Sequence, residues 1–501
     1  MRKRVGLIVD SLRISKQLSD LLELSKTSEN YEIVALIINQ GVKSNNQLEQ
    51  AINFVRRRGF RRFFSKIAFK ALCMMEQNLI KRIEKYASFY DTFDLREKDF
   101  STVSVSPKIS SNGLVYHYVA SDIDKIKALN LELLVRAGSG ILKGEILDVC
   151  PSGILSFHHA DNNINRGGPP GFWEVYEKNP RTGFVIQKLN DELDGGDILY
   201  KGFITTSWLY SLNLVKLYEI SNPFFHQVIE GITSENSKHS IHEKVPYCYP
   251  LYTHPSLFQI IKYVLKTLAI LSEKICRRLW SKEYRWGVAY QFSNTWNDVT
   301  LWRSQKIDNP KNRFLADPFV IKHNGHHYCF VEDYDYMVRK GSISTYEITP
   351  AGYERIGVVL EEDFHLLYPF IFQYENQYFM CPETHEKGEI RLYRCTDFPR
   401  KWIYDRTLMK DVSAADTNIF YHEGKWWLFT NIDNSIVGDH NCQLHIFSSD
   451  CPLSNNWHAH VDNPVIFDPL RARNGGVIIQ NGEVYRTSRG KDLICTVKHA
   501  V

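Results

Sequence analysis

The sequence predicts a Rossmann-like α/β domain followed by an all-β domain of five-bladed propeller type. Three observations carry that expectation. Continuous apolar strands alternate with helical periodicity up to residue 205, the pattern of a parallel sheet covered on both faces. Beyond residue 285 the texture changes to short aromatic-rich strands separated by Asn/Gly turns. Within that second region a strand–turn–strand unit recurs about every fifty residues, as in blades that bury their faces only against their neighbours.

The first strand falls at residues 5–9, a helix at 15–24 and a second strand at 31–38. Residues 49–90 carry helical periodicity with basic and aromatic side chains, Arg56-Arg57-Arg58 and Arg61-Arg62 among them. A charge run of that kind reads first as a solvated helix face. Strands return at 131–136 and 154–157, so residues 1–205 form one α/β domain. Residues 206–285 read as a helical connector, with a helix over 256–280. Lys262 and Lys266 interrupt the apolar stretch there, which is too short to span a bilayer. An amphipathic helix docked on the protein is the expectation, with peripheral membrane contact through 256–280 as the alternative. Residues 286–501 hold the repeat, whose four copies begin near Asp317, Tyr368, Asp416 and Asn474; the closing blade looks short.

At 501 residues the chain exceeds one ordinary domain. Hydrophobic content of 44% and charge of 24% describe a globular protein with sizeable cores. A net charge of +4 gives no support for a nucleic-acid partner. The 10 cysteines are scattered without CxxC spacing, which favours reduced thiols over a disulfide or zinc framework. The N-terminal Met-Arg-Lys-Arg leads into only five apolar-type residues, a strand rather than a secretory signal, so a cytoplasmic location is expected.

The chemistry concentrates between residues 153 and 200. Gly153-Ile-Leu-Ser156-Phe-His158-His159-Ala-Asp161 carries an apolar strand into the Gly/Pro-rich loop Arg166-Gly167-Gly168-Pro169-Pro170. Thr182-Gly183 opens a second apolar run that ends in Glu192-Leu193-Asp194-Gly195-Gly196. Glycines let backbone approach a ligand closely, and an imidazole with a carboxylate can manage a proton. The pattern points to proton-managed group transfer. His158 and His159 are adjacent on a strand and so face opposite ways, and no metal site is assigned to them.

In these residues the chain resembles the folate-dependent formyltransferases. The family pattern is a Gly, an Asn-x-His at a strand end, an Arg-Gly further on, a Thr-Gly, and a Leu-Asp-x-Gly. Gly153, His158, Arg166-Gly167, Thr182-Gly183 and Leu193-Asp194-Gly195-Gly196 fall in that order. The resemblance implies a formyltransferase-fold domain over 1–205 and 10-formyltetrahydrofolate as cofactor. It implies catalytic roles for His158, Asp194 and Ser156, and cofactor contacts at Gly138, Ile141, Leu142, Glu192 and Asp194. His159, Asn162 and Arg166 become acceptor-side candidates. Ser156 stands where the family has Asn, exchanging a two-donor carboxamide for one rotatable hydroxyl.

The second region is similar to the propeller attached to a plant sphingolipid glucosaminyltransferase, through Asp317-Pro318, residues 365–369, Pro382-Glu383 and residues 471–476. Five-bladed glycosidases place carboxylates at comparable strand ends, which makes Asp317 and Glu383 sugar-binding candidates and leaves Glu332 and Asp416 beside them. Together these resemblances imply N-formylation of an amino sugar, nucleotide-linked and destined for surface polysaccharide. The alternatives are a propeller that processes or binds glycosides beside an inactive first domain, and a methionyl-tRNA formyltransferase-like enzyme.

Overall fold

The computed structural model describes all residues except 1, 41–54, 57–58, 97–99, 111–112, 193–194, 235–244, 281–284, 297 and 490–501. The chain divides into two compact units, Met1–Lys274 and Ile275–Val501.

Unit 1 is organised by a seven-stranded sheet. Its strands are β1 (Lys3–Val9), β2 (Tyr31–Asn39), β3 (Ser101–Val105), β4 (Leu133–Arg136), β5 (Ile154–His158), β6 (Arg181–Lys188) and β7 (Asp197–Thr205). They lie in the order β7-β6-β5-β4-β1-β2-β3. β1 to β5 form the parallel part, while β6 runs antiparallel to β5 and β7 to β6. Val5, Leu7 and Ile8 of β1 are wholly enclosed, as a strand covered on both faces requires. The chain moves outward from β1 to β2 and β3, then returns to lay β4 against the other side of β1. That reversal leaves a crevice at the carboxyl ends of β1 and β4, where ligands of open α/β sheets bind.

Helices α1 (Lys16–Lys26), α2 (Phe60–Ile80), α3 (Ala120–Lys127), α4 (Phe172–Glu177), α5 (Tyr210–Thr233) and α6 (Leu257–Leu279) complete the unit. α3 covers one face, where Ile123 and Ile126 join Ile8, Ile37, Leu134 and Ile154 in one core. α5 covers the other, with the Phe225 ring tilted against Phe157 at 4.4 Å and His226 Nδ1 2.8 Å from the Tyr31 hydroxyl. α1 packs beside it, the Gln17 carbonyl accepting from Asn222 at 3.0 Å. Thus α5, from the stretch expected as a connector, is a cover of the sheet. α6 packs through Ile260 and Tyr263 against Phe69 and Leu72 of α2 and Phe172 of α4. The Tyr263 hydroxyl donates to Glu76 Oε1 at 2.6 Å, and burial raises the Glu76 pKa. Among the described residues no helix is long and apolar enough to cross a membrane.

Unit 2 is a succession of antiparallel sheets. β8 (Arg313–His323), β9 (His326–Asp335), β10 (Lys340–Thr349) and β11 (Gly352–Leu360) make one four-stranded sheet. β12 (Leu367–Tyr374), β13 (Gln377–Glu383), β14 (Glu389–Asp397) and β15 (Lys401–Lys410) make a second. β16 (Ala414–His422), β17 (Lys425–Ile432) and β18 (Gln443–Ser449) head a third, and β19 (Asn474–Gln480) pairs with β20 (Glu483–Ser488). The Asn/Gly turns of the repeat are two-residue hairpin loops with positive φ at both positions: Asn324-Gly325, Glu375-Asn376, Glu423-Gly424 and Asn481-Gly482. That backbone matches strand twist, which is why Asn and Gly recur there. Phe330 and Ile343 of the first sheet share a core with Ile371, Met380 and Trp402 of the second. Phe370 and Phe379 of the second share another with Ile419 and Leu428 of the third. Each sheet buries its face only by meeting the next. These facing sheets are the observed form of the sequence repeat.

Candidate functional site

In unit 1 the strand β5 alternates its side chains between two faces. Ser156 and His158 point with Ile154 toward the α3 side, while Phe157 and His159 point to α5. His159 lies between Phe157 and Tyr218, ring centroids 4.6 and 4.0 Å away, and its Nε2 is enclosed without a hydrogen-bond partner among the described residues. Burial pulls its pKa down to about 3, with the neighbouring His158 as a lesser cause. The folded chain therefore holds His159 neutral while an unfolded chain protonates it below about 6.5. Between those values the unfolded state binds more protons, so stability falls as pH drops. At pH 5 the cost is about 2 kcal/mol, and His159→Phe should remove it: thermal unfolding should match wild type near pH 8 and exceed it at pH 5. An equal acid loss in both proteins would refute this role.

His158 is 8% exposed and sits at the carboxyl end of β5. Its Nε2 lies 2.8 Å from the Asn165 carbonyl, which can only accept, so Nε2 carries a proton and Nδ1 is the nitrogen able to take another. The Asn165 amide donates in turn to Glu174 Oε1 at 2.9 Å. Glu174 lies on the buried helix α4, and its burial raises its pKa. A chain from His158 through Asn165 to Glu174 thus fixes the imidazole. Asp161 is paired with Lys201 at 2.6 Å, and Gly183 lets this loop close in, because a Cβ there would stand 2.7 Å from the Asp161 nitrogen.

Ser156 is buried and accepts a hydrogen bond from Arg136 Nη1 at 3.1 Å. Arg136 ends β4, and its other terminal nitrogen donates to the Gly140 carbonyl. A guanidinium therefore reaches the position where the expected carboxamide is missing. In the sequence Arg136 is one polar residue at the end of an apolar strand that a glycine loop follows, with nothing to mark its side chain for this place. Around it Gly138 is held tightly: a Cβ would come 2.7 Å from Asp10 Oδ1, and Asp10 Oδ2 accepts from the Ser139 amide at 2.7 Å. Asp10 also accepts from Asn39, so the ends of β1, β2 and β4 are tied at the crevice.

The other expected residues are distributed as follows. Ile141 is half-buried beside the crevice loop, whereas the Leu142 side chain belongs to the core against α3. Asn162 is buried, its carbonyl accepting from Arg166 Nε at 3.0 Å. The Arg166 guanidinium also covers the Tyr247 ring at 4.6 Å and lies 3.7 Å from exposed Glu192. Gly167 is indispensable to that loop, with φ +111° and Tyr252 backbone occupying the place of a Cβ. Asp194 lies outside the described residues, so its separation from His158 is not part of the geometry. Opposite Ser156 on β6 stands Gln187, whose Oε1 is buried near Gly196 with no hydrogen-bond partner among the described residues. Neither Gln187 nor Glu174 carried a sequence signal beyond a polar residue among apolar ones.

In unit 2 the first strands of the successive sheets carry a bulge at equivalent positions, at Asp317 (φ 49°), Tyr368 (φ 51°) and Asp416 (φ 52°). Non-glycine residues rarely adopt such backbone, and bulges of this kind re-aim side chains. Asp416 accepts from Arg473 Nε at 2.6 Å and lies 3.8 Å from Arg489, which also binds Asp317. Arg489 thereby links the end of β20 to β8. Glu383 lies 2.8 Å from His385 Nδ1, a contact that raises the histidine's pKa, and Glu332 lies 3.5 Å from His365. Glycoside cleavage needs two carboxyl groups available to the sugar. Asp317 and Asp416 are instead held by arginines.

The family described as "Glucosamine inositolphosphorylceramide transferase 1, N-terminal" matches residues 287–498. The chain is 36% identical over 182 residues to the Oryza sativa subsp. japonica protein of that name, covering 35% of this chain and 24% of the relative. It thus spans about a quarter of the length of these plant relatives. It is also 24% identical over 212 residues to methionyl-tRNA formyltransferase of Clostridioides difficile, covering 40% of this chain and 64% of that one. Among solved structures, a sugar N-formyltransferase from Shewanella sp. aligns over 53% of this chain and 88% of its own at 15% identity and TM-score 0.31. The chain therefore joins formyltransferase-like homology to a stretch like that of the plant transferases; both sets of relatives are transferases by name.

Proposed function

We propose that this protein transfers a formyl group from 10-formyltetrahydrofolate to the amine of an amino sugar, and that unit 2 closes as a five-bladed-type propeller and binds carbohydrate. The observation that carries the reading is the meeting of His158, Ser156 and Arg136 at the carboxyl ends of the parallel strands, beside the crevice. The formyltransferase-like relatives and the match to the plant glucosaminyl-transferring proteins support the donor and the sugar respectively.

The residues present fit a reduced folate. Gln187 offers an enclosed carbonyl with no protein donor among the described residues, suited to an N–H of a heterocycle. The loop from Ala137 to Gly140 is open to solvent at Ala137 and Ser139 and lies against Arg136. The bound folate supplies an activated one-carbon acyl group. Everything else falls to the chain. Arg136 holds positive charge where the formyl oxygen gathers negative charge, and Ser156 is oriented by that same guanidinium. His158 takes the amine proton at Nδ1, and the Asn165 carbonyl holds the imidazole through Nε2–H so that this nitrogen keeps its aim. Asp194, from the family pattern, supports the charged imidazole. Asn162 and Arg166 form the acceptor wall.

The direct test is incubation of the chain with 10-formyltetrahydrofolate and a panel of amino sugars, free and nucleotide-linked. A product heavier by one formyl group is expected from at least one of them. A chain that binds folate but formylates no amine would defeat the reading. If it still binds a sugar through Asp317 and Glu383, the protein is a sugar-binding protein with an inactive formyltransferase-like domain instead.

A further inference from the structure

The outward faces of α2 and α6 are unlike the rest of unit 1. On α2, Ser65, Phe69, Leu72, Glu76 and Ile80 turn inward. The opposite side presents Phe60, Phe64, Ile67, Met74 and Met75, with Phe60 at 68% exposure. Their spacing is i, i+4, i+7, i+14 and i+15, one apolar stripe facing solvent. α6 repeats the arrangement: Ile260 and Tyr263 turn inward, while Phe258, Ile261, Leu265 and Leu268 turn outward, Phe258 at 75%. Both helices pack on the same aromatic cluster around Phe172 and are tied by the Tyr263–Glu76 hydrogen bond. Two apolar stripes therefore look outward from one core. Monomeric proteins rarely expose apolar surface on this scale without a partner for it.

Charge identifies the partner. Arg61, Arg62, Lys66 and Lys70 lie along α2, whose single acid, Glu76, is buried. On α6 Lys262 is exposed and Arg277 and Arg278 stand in the last turn beside a single acid, Glu273, while Lys266 donates to the Tyr176 carbonyl and Lys274 covers the Trp208 ring. The chain leaving α2 adds Lys81, Arg82 and Lys85 against one exposed acid, Glu84. A second copy of such a face would bring like charges together, whereas an anionic surface is complementary to it. Apolar stripes flanked by cations are the form in which helices lie in the headgroup region of a bilayer. We propose that α2 and α6 together dock unit 1 on the surface of an anionic lipid bilayer, the apolar stripes entering the acyl boundary and the cations meeting the headgroups. This surface is separate from the His158 site and does not depend on its chemistry.

Co-sedimentation of the full chain with phosphatidylcholine vesicles, with and without phosphatidylserine, tests the proposal. Binding should require phosphatidylserine and weaken as salt rises. Phe64→Ser with Leu265→Ser should lower vesicle partition at least tenfold. Arg61→Glu with Lys70→Glu should lower it by about fivefold or more per charge, since each cation near the surface contributes on that scale. All four positions are exposed, so the variants should melt like wild type. Absence of vesicle binding, or binding indifferent to both pairs, would overturn the proposal. So would a dimer in solution that the Phe64/Leu265 pair disperses, because a second copy would then cover this face.

Discussion

Replacement of His158 by alanine is expected to lower the rate of formyl transfer by about 10²–10⁴-fold, the usual worth of a positioned general base. That corresponds to about 3–5.5 kcal/mol of transition-state stabilisation. The Asn165 carbonyl fixes the proton on Nε2 and leaves Nδ1 to act on the amine. Glu174, reached through the Asn165 amide, stiffens the arrangement from within the core. The measurement is single-turnover formation of formylated sugar, paired with folate binding by fluorescence. Binding should survive while turnover collapses. A rate that survives as well would mean that the amine sheds its proton to water, and the catalytic role of His158 would be lost.

Arg136→Met should cost about 10²–10³-fold in kcat, the range measured when one oxyanion donor is removed. Arg136→Lys should recover only part of this, since an ammonium lacks the planar fork that reaches both Ser156 and Gly140. Ser156→Asn is expected to preserve or raise the wild-type rate, by restoring a carboxamide at the same place. In the Arg136→Met background it should recover a large part of the loss. Strictly additive effects would show that the two side chains do not serve one oxygen, and the assignment of Arg136 would fall.

Much of the α/β unit was legible as sequence. Fully apolar strands such as β1 can persist only where both faces are covered, so the parallel sheet followed from pattern alone. The hairpin repeat was equally legible, because positive φ at both loop positions selects Asn and Gly wherever the chain reverses. Individual site residues were less so. His159 stood among the acceptor-side candidates, yet strand alternation turns it onto Tyr218, where an aromatic stack encloses it. Leu142 belongs to the core for the same reason of facing. The run at 206–285 gave no sign that α5 would seal the sheet, since an amphipathic helix announces that it must pack but not on what.

Composition and periodicity determined the α/β character of the first half and the all-β character of the second, because backbone preference and burial act locally and leave local marks. Only the tertiary structure decided that a guanidinium from β4 meets a serine from β5, and that arginines after β18 and β20 neutralise acids on the first strands of unit 2. Such encounters join positions far apart in the chain. Their energies depend on through-space distance and desolvation, which no pattern along the chain records.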